Sequence, residues 1–141
     1  MKQAISFVTL GVADLARSRC FYQTLGWQES SGSQEAVAFF QAGSVAFALF
    51  GRADLAADAG VAPQGNGFPG FTLAHNVASA AEVDALLGEA VTAGGRLVSA
   101  GNEAPWGGYR GYFADPDGFL WEVCFNPFFP VDEAGFIHLP A

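Results

Sequence analysis

The residues that could carry chemistry are concentrated in the last third of the chain. Glu122 is the single charged residue in the apolar, strand-like run 119–126. If it faces a dry cavity, burial should raise its pKa, because a low dielectric disfavours the charged form. It would then suit a general base or an acceptor for a cationic ligand. The alternative is a carboxylate satisfied by nearby hydroxyl groups or water, and both interpretations stay open.

A second candidate is the aromatic and glycine-rich segment 106–112. Trp106 and Tyr109 flank two glycines, so the loop could lie over a cavity mouth and let backbone approach a ligand. Arg110 could bind an anionic group, or it could be a surface arginine at a strand edge. With Tyr112 and Glu122, these residues form the candidate ligand-binding set.

The remaining reactive types are sparse, with two histidines and two cysteines. By strand alternation, His75 points away from the face that holds Thr72, which predicts a hydrogen bond near the helix layer rather than a metal-ligand role. A role for His138 is possible but unsupported. Cys20 and Cys124 are predicted to be buried small hydrophobes, since no histidine lies near either in sequence.

Composition excludes several classes of function. The chain has 141 residues, 51% of them hydrophobic, which suits one globular domain with a sizeable core. Six Lys and Arg residues against a net charge of −8 argue against nucleic acid and anionic membranes. The sequence shows no signal-peptide layout and no apolar run of about 20 residues. We therefore expect a cytoplasmic protein.

The secondary-structure elements that must position these residues occur twice along the chain, in two similar modules. In the first module, about 4–50, a strand is followed by a helix at 15–25, capped by Asp14 and ended by Gly26. Three strands are predicted after it, at 27–30, 36–41 and 44–50, with a tight turn at Ala42 and Gly43. Trp27, Phe39 and Phe47 are predicted to be core or cleft rings.

The second module, about 70–127, repeats this βαβββ order at an offset of about 65 positions. Ser79 and Glu82 predict a capping box for a helix ending near Ala93. Strands are predicted at 96–100, 108–114 and 119–126, and the turn 115–118 uses proline and glycine in suitable places. The connector 51–69 requires no fold, although 54–59 could form a helical turn. Two prolines in the tail 128–141 make a regular element there unlikely, and the tail could cover a groove or a partner subunit.

The doubled module and three local segments resemble the vicinal oxygen chelate superfamily, which includes glyoxalase I, extradiol dioxygenases and bleomycin-resistance drug-binding proteins. The likeness lies in residues 8–22, in 73–84, and above all in 106–123, where Asp-Pro-Asp-Gly and an aromatic residue precede Glu122.

This resemblance implies a set of metal-ligand positions, one on the first and one on the last strand of each module. They correspond here to Phe7, Ala48, Thr72 and Glu122, and only the last has a ligand side chain. One carboxylate cannot hold a divalent ion tightly, so we predict no cofactor and disfavour a metal.

The predicted fold is α+β, with tandem βαβββ modules whose curved mixed sheets surround a cleft and whose helices lie outside. The resemblance implies a homodimer. The first functional hypothesis is a metal-independent binder of an aromatic or cationic small molecule, with Phe7 and Thr72 also at the ligand. The alternative is a glyoxalase-like lyase or isomerase, or a dioxygenase, that uses Glu122. A third is a structural module whose cavity is filled by side chains.

Overall fold

A computed structural model describes residues 1, 6–69, 71–137 and 139. The chain divides into two compact units, Met1–Pro69 and Gly70–Ala141. Each unit contains one mixed β-sheet, of three strands in the first and four in the second. The predicted α+β class is confirmed. None of the described helices is long and apolar enough to cross a membrane.

The first unit combines a three-stranded sheet with two helices. Its elements are β1 (Phe7–Val12), α1 (Leu15–Thr24), β2 (Val37–Ala42), β3 (Val45–Gly51) and α2 (Arg52–Asp58). The strand order is β1-β3-β2, with β1 parallel and β2 antiparallel to β3. Asp14 caps α1 as predicted, since its Oδ1 accepts a hydrogen bond from the Arg17 backbone at 2.9 Å. The connector helix α2 is longer than the predicted turn.

The predicted strand at 27–30 is wrong, because only Glu29 pairs with the sheet, in an isolated bridge to Phe40. The backbone N–H of Trp27 instead donates to the Tyr22 carbonyl at 3.0 Å, which holds the start of the segment against α1. The chain turns again directly after Ser30, whose carbonyl accepts from Ser33 at 3.0 Å. These two hydrogen bonds bend the chain on either side of Glu29, so the segment forms one β-bridge and not a strand.

The second unit places one helix on a four-stranded sheet. Its elements are β4 (Leu73–Asn76), α3 (Ala80–Thr92), β5 (Arg96–Glu103), β6 (Tyr109–Ala114) and β7 (Leu120–Phe125). The order is β4-β7-β6-β5, with β4 parallel to β7 and the other pairs antiparallel. This is the order of the first unit, with β5 in the place of the Glu29 bridge. The predicted repeat is therefore confirmed.

The start of α3 has the predicted capping box. The Ser79 hydroxyl accepts from the Glu82 backbone at 3.2 Å, and the Glu82 carboxylate accepts from the Ser79 hydroxyl and the Ala78 backbone, each at 3.2 Å. These bonds satisfy donors that the first turn of a helix leaves without partners. Gly94 follows the last turn with a φ of 107°, a conformation that favours glycine.

The core of the first unit is a cluster of rings between α1 and its sheet. Phe47 has its centroid 4.9 Å from that of Tyr22 and 5.1 Å from that of Trp27, and Phe40 lies 6.0 Å from Trp27. The sequence alone does not show which of the three predicted rings belong to the core and which to the cleft, but the structure does. Phe47 and Trp27 belong to this core, whereas Phe39 lies on the opposite face of the sheet, against Phe7 at 5.9 Å.

The core of the second unit lies between α3 and the sheet. Phe113 and Trp121 stack there with centroids 6.1 Å apart, and Val123 is fully buried. Gly111 lets α3 approach closely, because a Cβ at that position would lie 2.6 Å from a side-chain carbon of Leu87. The face that carries Gly111, Phe113, Trp121 and Val123 is therefore the α3-facing side of the sheet.

Outside the sheets, one prediction is wrong and one agrees with the structure. Cys20 is exposed, because α1 turns Phe21 and Tyr22, rather than Cys20, into the core. The tail forms no helix or extended strand in its described part, as predicted, and makes one bridge between Val131 and Ile137. Phe128 is exposed. His138 lies outside the described residues.

Candidate functional site

Polar side chains converge on the sheet face of the second unit that points away from α3. Alternation along β6 places Arg110 and Tyr112 there, because Gly111 and Phe113 face α3. Tyr112 pairs with Glu122, and Arg110 pairs with Cys124. On the other side of β6, Asn102 pairs with Arg110 and Ser99 with Tyr112. We call this surface the polar face; it consists of Ser99, Asn102, Arg110, Tyr112, Glu122 and Cys124.

Arg110 is held in place by its neighbour on β5. Its Nη1 donates to Asn102 Oδ1 at 2.6 Å, and the Asn102 amide donates to the Ala100 carbonyl at 2.8 Å. The second bond depends on a register shift between Ser99 and Asn102, which bends the chain so that the amide can reach back. A bulge thus orients Asn102, and Asn102 orients the guanidinium group.

Tyr112 and Glu122 form the other half of the polar face. Partial burial raises the pKa of Tyr112 above its usual 10.0, and the charge of Glu122 and a hydrogen bond to it raise that pKa further. Arg110 acts in the opposite direction. The neutral hydroxyl therefore remains a donor at neutral pH, and it is directed at the carboxylate. Both side chains are half-buried.

Cys124 contributes an inert thiol to this surface. It is 4% exposed, which confirms the predicted burial. Burial raises the pKa of the thiol above 9.0, and Glu122 adds to the effect while Arg110 opposes it. A neutral, enclosed thiol is a poor nucleophile. The groups available for binding are therefore the guanidinium, the hydroxyl and the carboxylate.

Tyr109 and Trp106 do not join the polar face. Tyr109 belongs to the α3-facing side, where its hydroxyl donates to the Asp84 carboxylate at 3.1 Å. It borders a separate hollow of about 370 Å³ beside Gly107 and Gly108. The exposed Trp106 ring covers Gly108, where a Cβ would lie 2.0 Å from the ring. The loop therefore packs on itself, and the candidate set of Trp106, Tyr109, Arg110, Tyr112 and Glu122 is divided between two surfaces.

His75 occupies the predicted face but not the predicted environment. It pairs with the core residue Val123, which confirms that it points to the α3-facing side of the sheet. Its side chain is nevertheless exposed on the edge strand β4, so it is not packed in the helix layer. Partial desolvation lowers its pKa below 6.5. The neutral imidazole is the main form at neutral pH.

The positions implied as metal ligands can now be read from the strand registers. In the second unit, Ala74 is the partner of Glu122, and Thr72 lies two residues before Ala74, just outside β4. In the first unit, Thr9 is the partner of Ala48, and Phe7 lies two residues before Thr9. The two units have the same register, which makes Ala48 the structural equivalent of Glu122.

These four positions do not fit a divalent metal ion. Phe7 and Ala48 offer no donor atom, and Thr72 offers only a hydroxyl group. Within the described ranges, no group of three or more His, Cys, Asp or Glu side chains could hold a metal. Zinc and iron sites need at least three strong protein ligands, and this donor set supplies one.

The sheet topology agrees with a family match over most of the chain. The model of the Glyoxalase/Bleomycin resistance protein/Dioxygenase superfamily matches residues 4–123. The chain belongs to this superfamily. Residues 128–141, which we predicted as a tail, lie beyond the matched region.

Solved structures of superfamily members show the same fold. A glyoxalase-related enzyme from Fulvimarina pelagi is 36% identical, with a TM-score of 0.88 and 99% of each chain covered. A glyoxalase/bleomycin resistance protein/dioxygenase from Nocardioides is 27% identical, with a TM-score of 0.72, covering 89% of this chain and 84% of that one. A lactoylglutathione lyase from Agrobacterium tumefaciens, 23% identical with a TM-score of 0.66 over 89% of this chain and 96% of that one, shares the fold alone. No curated protein matches the chain.

Sequence reasoning missed Asn102 and Ser99. The strand β5 was predicted to end at residue 100, so Asn102 fell outside it, whereas the strand extends to Glu103. A polar residue opposite the only arginine of the next strand is a signal in principle. It becomes visible only when the pairing register is known, and the bulges in β5 conceal that register.

Proposed function

We propose that this protein binds a small molecule on the polar face without a resident metal ion. The observation that supports it is the convergence of Arg110, Tyr112 and Glu122 on one half-buried surface, where a cation, a hydroxyl and a carboxylate lie on adjacent strands. Ligand sites combine apolar walls with a few such convergent polar groups. Shape and hydrogen bonds would do the work that a chelated metal does in metal-dependent proteins.

The proposed ligand is an aromatic compound, a cationic compound, or both. Glu122 supplies a carboxylate that can accept charge-assisted hydrogen bonds, and the Tyr112 ring beside it supplies a face for stacking or cation–π contact. The net charge of −8 attracts cations towards the molecule as a whole.

A thermal-shift screen of aromatic and cationic compounds, followed by calorimetry on the hits, tests the binding proposal. At a ligand concentration of about 100 Kd, binding should stabilise the protein by about 2.7 kcal/mol. Glu122→Gln and Tyr112→Phe should weaken the hits, while Glu89→Gln, an exposed glutamate on α3, should leave them unchanged. If no compound raises the melting temperature at high excess, or if all variants bind alike, the polar face is not the site.

Elemental analysis tests metal independence separately. Protein purified without chelator should contain less than stoichiometric metal, and a cobalt or nickel titration should not saturate at one ion per chain. Binding of the screen hits should persist in the presence of a chelator. Stoichiometric metal that disappears in Glu122→Ala would reject this part of the proposal.

A second candidate function is proton transfer by Glu122, as in a lyase or isomerase. The Tyr112 hydroxyl beside the carboxylate supports it, because a hydrogen-bonded donor can stabilise developing negative charge on a substrate oxygen. Compounds from the screen that contain an acidic C–H bond should then exchange that hydrogen in D₂O, and Glu122→Gln should abolish the exchange. Binding without exchange would favour the first proposal.

A further inference from the structure

We infer that the polar face recognises a zwitterion, with the ligand's carboxylate contacting Arg110 and its ammonium group contacting Glu122. This inference rests on the proposed small-molecule site and specifies its ligand class. It follows from two opposite charges on the same face that do not neutralise each other.

Arg110 and Glu122 are diagonal neighbours on β6 and β7. Arg110 pairs with Cys124, and Glu122 lies two residues earlier on β7, so their α-carbons are about 7–8 Å apart. No ion pair joins these two described residues. Arg110 donates to Asn102, and the residue that pairs with Glu122 on the adjacent strand is Tyr112. Both partners are neutral. The two charges therefore remain available to a ligand.

Arg110 and Glu122 each retain donor or acceptor positions that a ligand on this surface can use. Asn102 accepts from Nη1 alone, and a guanidinium has five N–H donors, which can bind a carboxylate in a bidentate manner. The Tyr112 hydroxyl can occupy at most one of about four acceptor positions of the Glu122 carboxylate. An ammonium group can donate to those that remain.

A ligand with a single charge would also lie near a protein group of the same charge. A simple cation that approaches Glu122 lies near Arg110, and a simple anion at Arg110 lies near Glu122. Like charges at such a distance repel each other, particularly on a half-buried surface with weak screening. A short zwitterion such as an α-amino acid satisfies both groups at once, and Tyr112, between them, offers its ring to an aromatic substituent.

Three matched probes separate the charge requirements in titration calorimetry at neutral pH. Phenylalanine carries both charges, its methyl ester carries only the ammonium group, and N-acetylphenylalanine carries only the carboxylate. We expect phenylalanine to bind at least about tenfold more tightly than either analogue, since each lost charge-assisted hydrogen bond costs roughly that factor or more.

Variants assign each charge to its residue. Arg110→Gln should remove the preference for phenylalanine over its methyl ester, and Glu122→Gln should remove the preference over N-acetylphenylalanine. Arg96→Gln removes an exposed arginine at the start of β5 and should change neither ratio. Circular dichroism on each variant confirms that it is folded.

The outcomes distinguish this inference from the proposal on which it rests. If an analogue binds the wild type as tightly as phenylalanine, or if none of the three binds while screen hits do, the zwitterion assignment is wrong and the binding site stands. If neither the probes nor any screen compound binds, both fall.

Discussion

The division of aromatic rings between the two faces of the first sheet makes a quantitative prediction for Phe47. Its ring is 3% exposed and makes edge-on contacts with Tyr22 and Trp27 at centroid distances of 4.9 and 5.1 Å. A buried Phe→Ala substitution costs about 3–5 kcal/mol of unfolding free energy, and each close aromatic pair contributes about 0.5–1.5 kcal/mol beyond area burial. Three such pairs are lost, the third to Phe40 at 6.4 Å, so the cost of Phe47→Ala should lie in the upper part of the first range, at about 4–5 kcal/mol.

Phe39 provides a matched control on the opposite face of the same sheet. It is half-buried and makes one ring contact, to Phe7 at 5.9 Å. Phe39→Ala removes the same atoms but less buried surface and one weaker contact, so we expect a cost of about 1–2 kcal/mol.

Urea unfolding followed by tryptophan fluorescence measures both costs. With a denaturant slope of about 2 kcal/mol per molar, Phe47→Ala should lower the midpoint by about 2 M and Phe39→Ala by less than about 1 M. Phe47→Leu keeps much of the volume and should recover more than half of the loss, which guards against a variant too unstable to measure. Equal midpoint shifts for the two alanine variants would refute the assignment of the rings to different faces.

Three further predictions follow from local geometry. Gly111→Ala should cost about 1–3 kcal/mol in chemical denaturation, because its Cβ would lie 2.6 Å from a leucine side chain of α3 and 2.8 Å from the Ser99 carbonyl oxygen of β5. Gly88→Ala, with nothing within 4 Å, should stabilise the helix by about 0.5–1 kcal/mol, and equal effects would contradict the close packing around Gly111. Ser79→Ala should cost about 1 kcal/mol in thermal unfolding through loss of the helix cap, and an unchanged midpoint would rule out the capping box. Glu122→Gln should lower the pKa of Tyr112 towards 10.0 while burial keeps it above that value; ultraviolet titration, with Tyr112→Phe to assign the signal, would disprove the contact if the pKa did not fall.

Short-range signals in the sequence predicted the repeated elements well. Asp14 and the pair of Ser79 and Glu82 cap the predicted helices, and Gly118 adopts a φ of 90° in the predicted turn. Each of these features depends on residues within a few positions of one another, so the chain carries the information locally. The strand predicted at 27–30 does not form, because the conformation of this segment depends on hydrogen bonds to α1 and on where the chain turns after Ser30.

The candidate site was only partly accessible from the sequence. Strand alternation separates Tyr109 from Arg110 and Tyr112 in principle, but residue types alone place all three in one glycine-rich and aromatic segment. The role of Asn102 could not be predicted, because its hydrogen bond to Arg110 depends on a bulge-shifted register between β5 and β6. Exposure of Cys20 likewise depends on which side of α1 meets the sheet.

Residue types and their spacing were enough to predict the repeated order of elements, apart from the strand at 27–30, and the loss of three of the four implied ligand types. Both are properties of residue identity and spacing. Only the tertiary structure decided which polar groups meet, because pairing across β5, β6 and β7 brings together Asn102, Arg110, Tyr112 and Glu122. Register is a long-range property in which a shift of one residue turns every side chain to the other face. The polar face therefore had to be read from the structure, although each of its members is visible in the sequence.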